Sequence, residues 1–438
     1  MSETQQGTDA AQASAAQASE DASYSDVVQR FLRYVRTDSQ GVPANAPAVP
    51  SSACQFNMTR LLADELRGLG ATDVTTTEHA YVTAHVPASA GAEHMPTLAF
   101  NAHIDTESSV PGNGVKPHVV DYEGGKLVMG VVDGEEIFTD QTVNPELADL
   151  VGQKIIVTDG STLLGGDDKA GVAEIMALVK RFHDDPTIPH PRLAISFVPD
   201  EEIGHGAALL DLDEQGAAFG YTLDGGPLGV MNYETFNAAE ADVHFHGFSV
   251  HPGTAKGKMR NAIDIACEFN GLMPQQSKPQ YTDGYDGYIH LHQQSGNVEK
   301  ADAMYIIRDH DRAKFEAKKH LIESAAAYLN EKYGADIVSC HVFDQYYNMA
   351  EVINKHPHLV ETARKAYADN GVTMWTEPMR GGTDGAQLCF RGLPMANLSC
   401  GYHNAHGIKE FVPINELETM VDVLQSICAT YATGEPQA

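Results

Sequence analysis

Several absences narrow the chemistry open to this 438-residue chain. Its six cysteines (54, 267, 340, 389, 400 and 428) form no C-x-x-C pair, which argues against a thiolate zinc knuckle or a disulfide scaffold. Reduced, mostly buried thiols of a cytoplasmic protein are expected instead. No apolar run approaches the roughly 20 residues that a spanning helix needs. Bases are scarce, 29 against 60 acids for a net charge of −31, and such a surface repels nucleic acid and anionic membranes. Residues 1–23 contain neither a basic region nor an apolar core, so no secretory signal is expected. Their Ala/Gln/Ser/Thr bias and lack of aromatics predict a disordered tail. Nucleotide and acyl-transfer fingerprints are missing too. "GNG" at 112–114 has no third glycine opening a helix, and neither a G-x-x-x-x-G-K-[ST] loop nor a G-x-S-x-G elbow occurs.

The length suggests two domains. "SDVVQRFLRYV" carries Val27, Val28, Phe31, Leu32 and Val35 on one helical stripe behind a Ser/Asp cap. A Pro-rich loop, "GVPANAPAVP", precedes a second helix, "QFNMTRLLADELRGLG". Strands "YVTAHVP" and "PTLAFNAHID" follow, then a helix over 168–183, a strand over 193–198, a helix near 206–216, and the strand "GYTLDGG". This alternation predicts an α/β domain with a mainly parallel sheet, in which ligands gather at the carboxyl ends of strands. Between about 235 and 345 the order becomes β-α-β-α-β, a small α+β sandwich inserted into the larger domain. The expected division is a tail 1–23, a first domain 24–235 plus 346–433, and an inserted domain 236–345.

Four apolar runs end in acids or histidine: "LAFNAHIDT" (His103, Asp105), "STLLGGDDKAG" (Asp167, Asp168), "SFVPDEEIG" (Asp200, Glu201, Glu202) and "GYTLDGG" (Asp224). A fifth, "CGYHNAHG", adds His403 and His406. Two adjacent carboxylates about 5 Å apart repel by about 3 kcal/mol at an effective dielectric of about 20, so such a cluster must be solvated or answered by cations. His and carboxylate without thiolate suit zinc and similar ions, and five or six ligands fit two ions sharing a carboxylate. Taken singly, each residue has a plainer explanation. A strand-end Asp is usually a cap, as Asp168 would be for "DKAGVAEIMALVKRF". His244, His246, His290 and His292 suit strands with one wet face. Recurrence at five strand ends favours a metal site. His103 and Asp105 lie two apart on one strand and face the same way, so Asp105 can hold one ring nitrogen while the other binds metal.

These segments, with "HPGTAKGKM", "YIIRDHDR", "YYNM" and "RGGTDGAQL", resemble peptidase T, the tripeptide aminopeptidases among the aminoacylase/carboxypeptidase-G-like di-zinc peptidases. The likeness runs in order from about residue 26 to 432. It implies a di-zinc peptidase domain with an inserted lid or dimerisation domain, small-peptide substrates, two divalent ions, and a homodimer formed through the insert. By this resemblance His103 and Asp224 hold one zinc, Asp167 bridges, and Glu202 with His406 completes the second. His403 competes for that last place. Glu201 matches the general base and Asp105 the residue that orients His103. Asp200 is expected to hydrogen-bond backbone at its turn. His251 matches an oxyanion-stabilising histidine, and Arg308 and Arg380 match candidates for the substrate carboxylate. The nearest competing expectation is a dipeptidase or N-acyl-amino-acid hydrolase of the same family; a metal-binding protein without catalysis would be expected to have lost a ligand or the base.

Overall fold

The computed structural model describes residues 21–434, which divide into two compact units. The first runs to Asn232 and resumes over Val352–Thr376 and from Thr383; the second comprises Tyr233–Glu351 and Glu377–Gly382. Most of the expected 1–23 tail lies outside the described residues. At its end, Asp21 accepts a hydrogen bond from Arg36 Nη1 at 2.6 Å. Among the described residues no helix is long and apolar enough to cross a membrane.

The first unit is organised by an eight-stranded mixed sheet. Its spatial order is Thr72–Thr76, Val82–Val86, Leu193–Val198, Leu98–His103, Phe219–Gly225, Met395–Ser399, Val230–Asn232 and Trp375–Thr376. The four central strands, from Leu193–Val198 to Met395–Ser399, are parallel; antiparallel pairings flank them on both sides. Every residue of Leu98–His103 and Leu193–Val198 is buried, as expected of strands covered on both faces. The helix Gly166–Asp184, buried over most of its length, packs against this centre. Because the four central strands run the same way, their carboxyl ends lie side by side. There the chain delivers His103, the 200–202 turn, Asp224 and the 400–407 loop.

Two features of this unit depart from the sequence-based expectation. The helix expected near 206–216 is a short turn, Gly206–Leu209, followed by the single-turn helix Leu212–Gln215. Asp211 caps that turn through the N–H groups of Asp213 and Glu214, and Gly216 ends it in the left-handed region. The stretch between 118 and 157 also holds unforeseen strands. A hairpin, Leu127–Val132 with Glu135–Thr139, turns at Asp133 and Gly134, both at positive φ. Strands His118–Asp121, Lys154–Val157 and Phe411–Pro413 form a small antiparallel sheet beside it.

The second unit is a four-stranded antiparallel sheet ordered Tyr288–Gly296, Lys300–Asp309, Asn237–His246, Val338–Tyr346. Helices Ala262–Gly271 and Arg312–Tyr333 share one apolar core with it, built on Val243, Phe245, Phe269, Ile307, Phe315 and Leu329. The element order is therefore β-α-β-β-α-β, with the polar strand Tyr288–Gly296 added to the expected pattern.

Close packing at the sheet centre makes a test. A Cβ on Gly220 would sit 2.3 Å from the Ala99 carbonyl oxygen of the neighbouring strand. Gly220→Ala is expected to cost about 1–3 kcal/mol by overpacking, read as a lowered thermal midpoint. An unchanged midpoint would show that the strands can part without cost.

Candidate metal centre

His103 ends its strand with the ring fully buried. Its Nδ1–H faces Asp105, 3.1 Å from the carbonyl oxygen and 3.4 Å from Oδ1. That leaves Nε2 to face acids: Asp167 Oδ1 at 2.9 Å and Asp224 Oδ1 at 3.6 Å. The second oxygen of Asp167 lies 3.2 Å from His406 Nε2, which is 3.1 Å from Glu202 Oε2. One carboxylate thus spans two imidazoles, each with a further carboxylate beside it. Glu201 lies among the same charges, close enough to feel Asp224, His103, Asp384 and Glu202.

Two groupings bring potential ligand atoms within 4.8 Å of one another: His103 with Asp167 and Glu202, and His103 with Asp168 and Asp224. Asp168 is better explained as a clamp. Its Oδ2 accepts the His103 N–H at 3.0 Å and its Oδ1 accepts the Gly171 N–H at 3.3 Å, the capping duty foreseen for it. His403 is spoken for as well. It is buried, stacked on Phe411 at 4.7 Å, with Nε2 3.2 Å from Glu416 Oε1.

The electrostatics call for positive charge. Burial pushes the Glu201 carboxyl well up, moves Glu202 up to about 7, and raises Asp224. Burial also acts on Asp167, but hydrogen bonds from His103 and His406 outweigh it and hold this carboxyl below its usual range. Contact with Asp167 and then Glu202 lifts His406 to about 11. Burial opposes the same rise in His103, yet its acidic neighbours lift that imidazole well above its usual range. Glu202 Oε1 is buried with no hydrogen-bond partner. Two imidazoles and a set of carboxylates without thiolate, one oxygen orphaned, fit divalent ions of the zinc type.

Residues 233–337 match the peptidase dimerisation domain model. The fold resembles the crystal structure of an aminopeptidase PepT from Bacillus cereus, with a TM-score of 0.72 at 24% identity, covering 93% of this chain and 98% of that one. A dinuclear metal-binding peptidase of the M20 family from Bacillus subtilis superposes with a TM-score of 0.60 at 13% identity, over 92% of this chain and 96% of its own. The fold is therefore the one that these peptidases share. Peptidase T of Geobacillus thermodenitrificans is 43% identical over 403 residues, 92% of this chain and 97% of that protein. Peptidase T of Halothermothrix orenii is 44% identical over 411 residues, 93% and 99% of the two chains. The chain belongs to the peptidase T family.

The three residues matched to substrate lie in the second unit. His251 is exposed and its Nδ1 accepts the Gly253 N–H at 3.1 Å, capping a short turn. Arg308 donates to the carbonyls of Ala239 and Ile307 and to Gln345 Oε1, each at 3.0 Å. Arg380 donates to the carbonyls of Gly284 and Asp286 and to Thr282 Oγ1, and packs over Phe236 and Tyr288. Both guanidinium groups thus hold local structure.

Sequence reasoning missed several groups that fix the centre. Glu410 accepts the N–H groups of Leu164, Gly165 and Asp167, so it holds the loop that presents Asp167. Asp384 accepts from Asn101 Nδ2 and the Ala207 N–H, while its neighbour Thr383 donates to Asp224 Oδ2 at 3.2 Å. Thr383 and Asp384 stand in "RGGTDGAQL", a segment weighed only for Arg380. Glu410, in "GIKEF", has no local signature.

Burial moves Asp384, Glu410 and Glu202 up to about 7. A carboxyl that binds its proton more tightly when folded favours the fold below its ordinary value, and that contribution fades as pH rises through the folded value. The thermal midpoint of chelator-treated protein is expected to fall between about pH 5 and about pH 7.5. Restoring divalent ions should recover more of it at the higher pH. A midpoint independent of pH and of metal would contradict this description of the cluster.

Proposed function

We propose that this chain is a cytoplasmic two-metal aminopeptidase that releases the N-terminal residue of tripeptides, with zinc as its metal and a homodimer formed through the second unit. The observation that carries this reading is Asp167, whose two oxygens face His103 and His406 separately while Glu201 and Glu202 stand together beside them. His103 and Asp224 would hold one ion, His406 and Glu202 the other, and Asp167 both. Bound there, the ions supply Lewis acidity toward a water and the scissile carbonyl.

The protein's own groups do the rest. Asp105 fixes the ring of His103 through Nδ1, so Nε2 stays aimed at the acids. Glu201 takes a proton from the attacking water as the oxygen–carbon bond forms. It then delivers that proton to the departing amine nitrogen as the carbon–nitrogen bond breaks. For substrate the reading extends the family assignment: His251 as an oxyanion partner, with Arg308 and Arg380 for the C-terminal carboxylate.

Hydrolysis of di-, tri- and tetrapeptides and of N-acetylated tripeptides tests the substrate class. Free tripeptides should be cleaved fastest, and preference for blocked peptides or dipeptides would overturn the reading. Glu201→Gln should lower kcat by about 10²–10⁴-fold while metal content is kept. Asp167→Asn should release metal, and full retention of two ions per chain would remove Asp167 as the bridge.

A further inference from the structure

Three acids open the turn after Leu193–Val198, and the first of them has no part in the chemistry above. Asp200 is fully buried, at the head of the turn that carries Glu201 and Glu202. Its Oδ1 accepts hydrogen bonds from Ser51 Oγ at 2.5 Å and Gln55 Nε2 at 2.6 Å, and its Oδ2 accepts the Ser51 N–H at 2.6 Å. Its own N–H donates to Gln55 Oε1 at 3.2 Å, so Gln55 grips side chain and backbone together. The backbone sits at φ +55°, a left-handed conformation uncommon outside glycine but tolerated by aspartate. The Asp200 carbonyl accepts the His205 N–H at 2.9 Å and closes the turn.

The gripping segment reaches a second part of the centre. Ser39 Oγ donates to the Ile104 carbonyl at 2.6 Å, and the Gly41 N–H donates to the Thr106 carbonyl at 3.1 Å. Gln40 Nε2 donates to the carbonyls of Glu107 and Val110. Residues 39–55 therefore tie the loop after His103 to the turn that bears Glu201 and Glu202. Asp105 completes the frame by accepting the N–H groups of Glu201 and Glu202 at 3.0 and 3.2 Å. A carboxylate buried among uncharged donors is an expensive way to anchor a turn that serves shape alone. Its value lies in direction, because any rotation at Asp200 swings Glu201 and Glu202 together.

Building on the functional reading above, we propose that Asp200, gripped by Ser51 and Gln55, is a positioning residue that sets the angle at which Glu201 and Glu202 are presented. The test compares wild type, Asp200→Asn, Gln55→Glu and the double variant by tripeptide kinetics, metal titration and thermal melting. In the double variant donor and acceptor exchange places between residues 55 and 200 while net charge is kept. Each single change should lower kcat about 10–100-fold with KM little altered and weaken binding of the metal assigned to Glu202 and His406, and the double variant should recover most of both. Loss and recovery of kcat and metal affinity without a matching fall and rise of the thermal midpoint is a response that a merely structural anchor would not give. Folded single variants with kcat within about twofold of wild type, or a double variant no better than the singles, would overturn the proposal. If Asp200→Asn fails to fold, Gln55→Ala is judged by the same kcat and metal criteria. A wild-type enzyme inactive on tripeptides would instead count against the functional reading, since the metal-affinity pattern can be read without substrate.

Discussion

Negative charge held out of water is the constraint on which the first unit depends. Asp105, Asp168, Asp200, Asp384 and Glu410 are all at most 2% exposed, and Asp167, Glu201, Glu202 and Asp224 lie among or beside them. Each buried carboxylate carries a desolvation penalty of several kcal/mol unless hydrogen bonds or opposite charge answer it. Protein donors answer some of these acids and leave others facing imidazoles or without a partner, and that difference separates most of them into two groups.

One group is satisfied by protein donors. Asp105, Asp168, Asp200, Asp384 and Glu410 all accept backbone N–H groups, and each holds a turn at the carboxyl edge of the central sheet. The other group, Asp167, Glu202 and Asp224, faces the imidazoles of His103 and His406 instead, and keeps an unpartnered oxygen at Glu202. The clamping acids spend their lone pairs on the backbone and so fix the shape of the pocket. The others keep theirs for cations. Four parallel strands ending together make this division possible, since the loops after them can be clamped to one another and to the start of the helix Gly166–Asp184.

Much of this could be read from residues alone. The apolar run at 193–198 coincides with a central strand, and acids or histidines after it and three other strands gather at one edge. What could not be read is which acid clamps and which faces an imidazole. Asp167 and Asp168 are neighbours with the same chemistry, and only the backbone at 167–168, where both residues depart from helical geometry, turns one toward His103 and His406 and the other toward the His103 and Gly171 N–H groups. Preference for His406 over His403 likewise came from family likeness; the physical cause is that His403 is buried against Phe411 and Glu416. The missed strand Tyr288–Gly296 lies at a sheet edge with an exposed polar second half, which blunts the alternation that betrays a strand. Glu410 was invisible because its three donors lie about 245 residues earlier in the chain.

The account stands on two cations answering the acids that protein donors leave unanswered. Anomalous X-ray scattering from crystals grown with zinc tests this directly. The account predicts two ions per chain in the first unit, one against His103 and Asp224, one against His406 and Glu202, with an oxygen of Asp167 on each. A single ion, or ions held by Asp168 or His403 in place of Asp167 or His406, would contradict it.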